Sequence, residues 1–239
     1  MATQMHPLEK NLLHWRNTRV KLTQPTFDFE KDYSFSCSAI RFIANELLRN
    51  EGKEFVVDKH NNDIIKFLLL YFNQSPEANK VFPAKNYSLK KNILLIGPPG
   101  TGKTLLMQVF SEYLRKSGNM YAFRNIGVTE LLNYHKMYGH ANLFTYNQQG
   151  PNTFEGAPVQ VCLNDLGLQL ESQKSYGTDM RLIIEEFLFS RYEIWLNRGV
   201  RYHITSNQTI AELKQMFEGR LVDRLKAFNV LVLDGDSRR

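Results

Sequence analysis

The densest chemistry in the chain lies in Gly97-Pro98-Pro99-Gly100-Thr101-Gly102-Lys103-Thr104. Gly97, Gly100 and Gly102 allow backbone N–H groups to turn inward around an anion with no Cβ in the way. Lys103 follows as a mobile cation for the β- and γ-phosphates, and the Thr104 hydroxyl can ligate Mg²⁺. The spacing is that of a phosphate-binding loop, and it predicts a bound nucleoside triphosphate held by Gly97 to Leu105. The alternative, a glycine-rich turn that matches by chance, requires the wrong flanks. The flanks are right. Ile93-Leu94-Leu95-Ile96 reads as a strand buried on both faces. Leu105, Leu106, Val109, Phe110, Tyr113 and Leu114 then recur at helical spacing up to Ser117-Gly118. That helix directs its positive N-terminal end at the phosphates.

A triphosphate site that hydrolyses needs an acidic group beyond the loop. Val159-Gln160-Val161-Cys162-Leu163-Asn164-Asp165 is the apolar strand that ends suitably. The usual order is an Asp for the metal, then a carboxylate that activates water. Here Asn164 and Asp165 occupy those positions. Asn164 can accept a hydrogen bond from metal-bound water but lacks the charge that suits a hard cation. Asp165 is either the catalytic base or a substitute metal acid, in which case Glu171 is the nearest spare carboxylate. The expected magnesium set is therefore Thr104, Asn164 and Asp165. Thr205-Ser206-Asn207 closes a later strand, which in a sheet of this order lies beside the first. Asn207 there would orient the attacking water; the competing role is an N-cap, which Ser206 could serve equally well. Arg220 and Arg224 sit one helical turn apart and are candidate arginine fingers for a neighbouring subunit, or else a surface face paired with Asp223.

The elements that must position these groups alternate. Strands are expected at 93–96, 121–125, 159–163, 200–205 and 230–233, and helices at 105–114, 129–137, 179–196, 209–217 and 220–228. A long loop covers 139–157. This order predicts an α/β fold with a five-stranded parallel sheet flanked by helices. Phosphate then sits beyond the carboxyl ends of the strands. Upstream, a short basic amphipathic helix precedes Pro25, a helix runs from Ser38 to Asn50, and another carries Ile64, Ile65, Leu68, Leu69 and Phe72. The expected division is a helical N-terminal extension, 1–52, and a nucleotide-binding domain, 53–239.

Composition narrows the setting. The chain has 239 residues, 43% of them hydrophobic, enough for a proper core. Its net charge of +6 permits an anionic partner without establishing one. Cys37 and Cys162 make neither a disulfide framework nor a zinc site. The longest apolar run, Phe67 to Phe72, is too short for a membrane span, and the first residues lack a signal-peptide core. A cytoplasmic protein with no membrane partner is expected. The aromatics between Tyr134 and Tyr146, among them Tyr138 and Phe144, could stack on exposed bases or pack on their own domain.

Taken together, Gly-Pro-Pro-Gly-Thr-Gly-Lys-Thr, Asn164-Asp165-Leu166-Gly167-Leu168-Gln169 with Glu171-Ser172, Thr205-Ser206-Asn207, Arg220-Leu221-Val222-Asp223-Arg224-Leu225 and the closing Gly235-Asp236-Ser237-Arg238 resemble the AAA+ ATPases of the DnaC/IstB group. These are replicative helicase loaders and transposition helpers. The resemblance covers roughly Phe55 onward. It implies an AAA+ core without a C-terminal helical lid, ATP and Mg²⁺, homo-oligomeric rings or spirals, single-stranded DNA, and a replicative helicase or transposase partner. The chain departs from the family at Asn164, where Asp is usual, and in its first fifty or so residues, which match no helicase-binding domain.

Overall fold

The computed structural model describes residues 23–145, 157–167, 174–175, 178–217 and 223–238. Among these the chain forms two compact units. Unit one takes the described part of Met1–Leu89 together with Leu105–Phe123, and unit two takes Lys90–Thr104 with the described part of Arg124–Arg239.

Unit one is helical. Helix α1 spans Phe29–Leu48, starting well before the expected Ser38. The reason is Asp28, whose carboxylate accepts from the N–H groups of Glu30 and Lys31 and caps a first turn too polar to show periodicity. A 3₁₀ turn, Arg49–Glu51, ends at Gly52 with φ 65°. Helix α2, Asn62–Phe72, is buried almost throughout its last turns, and α3, Ala78–Val81, follows it. Helix α4, Lys103–Lys116, belongs to unit one from Leu105 and buries Leu106, Met107, Val109, Phe110, Tyr113 and Leu114. Its end is closed by Gly118 at φ 69° and by the Asn119 N–H, which reaches back to Leu114 O at 2.9 Å.

A chain of buried polar side chains holds these helices together. The Tyr113 hydroxyl donates to Ser36 Oγ at 3.0 Å and accepts from Asn73 Nδ2 at 3.4 Å. Asn119 Nδ2 donates to Asn73 Oδ1 and to Phe72 O, both at 3.2 Å. Asn119 also folds the next residues into a turn, its side chain accepting from Tyr121 N–H at 2.8 Å. The strand expected at 121–125 consequently begins later, as β2 at Arg124.

Unit two is built on a sheet of five parallel strands in the order β2-β3-β6-β1-β7. These are β2 Arg124–Gly127, β3 Val161–Leu166, β6 Tyr202–Ser206, β1 Asn92–Ile96 and β7 Phe228–Val232. The pattern of an α/β sheet read from the sequence holds, and β6 does lie beside β1. Helices α5, Val128–Tyr138, and α7, Met180–Arg198, pack on it with α8, Ile210–Met216. Ile126, Leu131, Leu163, Ile184, Leu188 and Ile204 lie in one continuous apolar core.

Several boundaries differ from expectation. β3 runs on through Asn164 and Asp165, because the polar pair is still paired into the sheet. A short helix α6, Asn142–Thr145, interrupts the expected long loop, and the rest of that loop to 156 is outside the described residues. Lys174–Ser175 and Thr178–Asp179 form an unexpected antiparallel pair, β4 and β5. Of the helix expected at 220–228, residues 220–222 lie outside the described residues, 223–224 are helical, Leu225–Ala227 is a 3₁₀ turn and Phe228 already opens β7.

Two buried side chains, Arg191 and His203, brace the sheet. Arg191, fully buried, donates to Thr145 O, Val159 O and Arg201 O at 3.3, 2.6 and 3.3 Å. His203 Nδ1 accepts from the Ile93 N–H at 3.1 Å, so the ring is neutral between β6 and β1. Burial, with Arg201 and Arg191 adding to it, holds the His203 pKa well below the usual imidazole value.

Candidate functional site

The site is assembled at the carboxyl end of β1. There Gly97 N–H donates to Ser206 O of β6 at 3.3 Å, while Leu233 N–H, just past β7, donates to Ile96 O at 2.8 Å. Gly97 is thus squeezed between its two neighbouring strands: a Cβ on it would stand 1.9 Å from Leu233 O. Gly100 and Gly102 have φ of 84° and 95°, the left-handed region that favours glycine.

Lys103 is buried in the loop it completes. Its Nζ donates to Gly97 O and Pro98 O, each at 2.7 Å, and Thr101 Oγ1 donates to Pro98 O at 3.0 Å. Phosphate oxygens present the same kind of acceptor to an ammonium, with added charge. The glycine backbone, the central ammonium and the N-terminus of α4 therefore fit a triphosphate. Pro98 and Pro99 are exposed at the tip, and Leu105 is half-buried in the next helical turn.

The second half of the site is a β-bulge. In the pairing of β3 with β6, Leu163 faces Ile204 and Leu166 faces Ser206, so Asn164 and Asp165 share the single residue Thr205. Thr205 Oγ1 serves both, accepting from Asp165 N–H at 3.0 Å and donating to Asn164 Oδ1 at 3.2 Å. The extra residue turns Asp165 to φ 63°. Its carboxylate then accepts from Thr104 Oγ1 at 3.1 Å. Asn164 is 3% exposed, and its amide is engaged elsewhere: Nδ2 donates to Asn125 Oδ1 at 3.0 Å, and Oδ1 also takes the weak Cys162 Sγ contact at 3.5 Å. Burial pushes the Cys162 thiol well up, so it stays protonated. Of the two polar residues at this strand end, Asp165 is the one brought to Thr104.

Among the described residues no group of three or more His, Cys, Asp and Glu is gathered for a metal. A magnesium ion would instead be held by Thr104 and Asp165, with phosphate and water oxygens completing its shell.

Asn207 follows β6 directly. The capping alternative has another owner: Thr209 caps α8, its Oγ1 accepting from Glu212 N–H at 3.2 Å while Glu212 accepts from Thr209 N–H at 2.6 Å. Ser206 Oγ donates to Leu166 O at 2.6 Å and accepts from Gln208 N–H at 3.0 Å. Neither Ser206 nor Asn207 is needed as a cap.

Arg220 and Glu171 lie outside the described residues. Arg224 lies against α7 in its own unit, its guanidinium 4.1 Å from the Phe189 ring centre and 4.8 Å from that of Tyr192, with Glu193 at 3.8 Å. Of the aromatics after α5, Phe144 is buried edge-to-face on Tyr134 at 5.0 Å, which removes it as a base-stacking residue. Tyr138, Lys136 and His140 are exposed. The sequence reading missed Thr205 and Asn125, whose roles depend on the bulge, and it gave no role to the contacts of Ser237 and Arg238 described below.

No helix among the described residues is long and apolar enough to cross a membrane. No family model matches the chain. No curated protein matches it either. Solved structures do. The DnaC helicase loader aligns over 75% of this chain and 93% of its own, at 18% identity and TM-score 0.50. DnaI aligns over 79% and 89%, at 17% identity and TM-score 0.47. AMPPCP-bound DnaA from Aquifex aeolicus aligns over 76% of this chain at 19% identity and TM-score 0.49, and the match spans about half (49%) of the DnaA chain. At these identities the likeness is one of fold, and the fold is an α/β P-loop NTPase core, which the DnaC helicase loader also has.

Proposed function

We propose that this protein binds and hydrolyses ATP with Mg²⁺ as a DnaC-like helicase loader, acting on a replicative helicase at single-stranded DNA in the cytoplasm. The observation that carries the reading is the 3.1 Å hydrogen bond from Thr104 to Asp165. It pairs the hydroxyl of the phosphate loop with a carboxylate from β3, the arrangement an ATP-bound magnesium needs. The loader part rests on the motif set and the shared fold.

Each residue has a role in that reaction. The N–H groups of Gly100 to Lys103 and the Lys103 ammonium neutralise the phosphates. Thr104 and Asp165 would hold Mg²⁺, which would supply positive charge at the γ-phosphate. Asn207 orients the attacking water at the end of β6. Arg220 would reach the γ-phosphate of an adjacent copy in a homo-oligomer, where such a group raises turnover by roughly 10³–10⁵. Arg224 is instead packed on Phe189 and Tyr192 of its own chain.

Lys103→Ala should abolish binding of a fluorescent ATP analogue. Wild-type affinity in that variant would refute the site. Mixing Lys103→Ala with Arg220→Ala should restore ATPase activity, since each supplies what the other lacks. A flat zero across mixing ratios, with both proteins folded and associated, would exclude a finger in trans. The second reading, an IstB-like helper or an ATP-switched scaffold that does not hydrolyse, is favoured by one observation: the neutral, fully engaged Asn164. Absence of turnover in a chain that binds ATP and single-stranded DNA would select it.

A further inference from the structure

The stretch after β7, Leu233–Arg238, runs back over the phosphate loop within unit two. Its contacts fall on three loop residues in turn. Leu233 O stands where a Cβ on Gly97 would be, at 1.9 Å. Ser237 Oγ lies 2.3 Å from the position of a Cβ on Gly100. Arg238 N–H donates to Gly100 O at 2.9 Å. Arg238 Cδ lies 3.9 Å from the Cβ position of Gly102, so its aliphatic stem passes the residue just before Lys103.

The N–H groups after Gly100 can face a phosphate only while the Gly100 carbonyl is held away from it. The Arg238 N–H holds the Gly100 carbonyl. A guanidinium leaving Gly102 beyond Cδ is within side-chain reach of the anion that Lys103 serves, and its fork suits phosphate oxygens. We propose that Leu233–Arg238 is a strap that forms part of the phosphate site, holding the loop open through Gly100 and supplying Arg238 as a second cation beside Lys103. The proposal deepens the ATP reading and rests on it.

The test uses the full chain, with a fluorescent ATP analogue as probe and tripolyphosphate or adenosine as competitor. Arg238→Ala should weaken the analogue and tripolyphosphate by about 10-fold or more, the scale of a hydrogen bond to a charged group. Adenosine competition should not change, and Arg238→Lys should recover part of the loss. Removal of Gly235–Arg239 should weaken the analogue further. Should that deletion fail to fold, the two point variants decide alone.

Equal binding by wild type, Arg238→Ala and the deletion would overturn the strap and leave the ATP reading standing. A wild-type chain that binds no analogue would overturn both. If Arg238→Ala and Arg238→Lys weaken every ligand alike and lower the Tm together, the residue is merely structural and the second cation is wrong.

Discussion

Both units bury polar side chains, and the two sets differ in what they are bonded to. In unit one, Ser36, Asn73, Tyr113 and Asn119 bond chiefly to one another and to helix-end carbonyls, a closed chain that leaves nothing to offer a ligand. In unit two, buried Lys103 and half-buried Thr104 and Asp165 gather at the carboxyl ends of adjacent strands, where their partners are loop carbonyls and one another. Buried polarity therefore marks a site only where it converges on strand ends. Where it closes on itself it is a fastening.

The comparison breaks or sharpens at specific residues. Asp165→Asn should reduce Mg²⁺-dependent turnover by about 100-fold or more, since it removes the carboxylate that would face Mg²⁺ in the proposed site. Nucleotide affinity measured without Mg²⁺ should stay near wild type; a parallel loss of affinity would mean Asp165 shapes the loop instead.

In unit one, Asn73→Leu should lower stability by about 1–3 kcal/mol, because it removes one buried hydrogen-bond partner from each of Tyr113 and Asn119. Hydrogen exchange should locate the loss in α1, α2 and the end of α4. Unchanged protection there would show the chain to be dispensable.

Asn164→Asp tests the neighbouring pair. Charge at that position cannot help the metal while the side chain is turned to Asn125 and Thr205. The substitution should leave turnover flat and destabilise by about 2 kcal/mol, as it buries a carboxylate against Asn125 Oδ1. A rise in turnover would show that Asn164 reaches the metal after all.

The smallest effect is pH-dependent. His203 has a folded pKa depressed by burial, so protonation favours the unfolded chain. Its contribution is present above the unfolded value of about 6.5 and is lost as pH falls below it. Between pH 7.5 and 5.5 unfolding free energy should drop by about 1.4 kcal/mol, and His203→Gln should flatten that slope. An unchanged slope would indicate that His203 charges without penalty.

The sequence made the phosphate loop and the alternation of strands and helices legible, because these are set by local spacing and by apolar runs. It left open which of Asn164 and Asp165 meets Thr104. That choice depends on a bulge opposite Thr205, forty positions away, which no local pattern encodes. The early start of α1 escaped for a related reason: Asp28's cap outweighs a polar first turn. Phe144 looked like a base-stacking aromatic because burial against Tyr134 is a tertiary fact. Arg238 likewise has no signal beyond its place in a short terminal motif.

The left-handed backbone at Asp165 carries a cost that the active carboxylate imposes on the fold. A non-glycine residue at φ 63° gives up about 1 kcal/mol that glycine would recover. Selection for thermal robustness alone would then drift this position toward Gly, gaining degrees of Tm while removing the carboxylate that meets Thr104. A close relative with Gly at this position would be a more stable protein without the proposed magnesium acid.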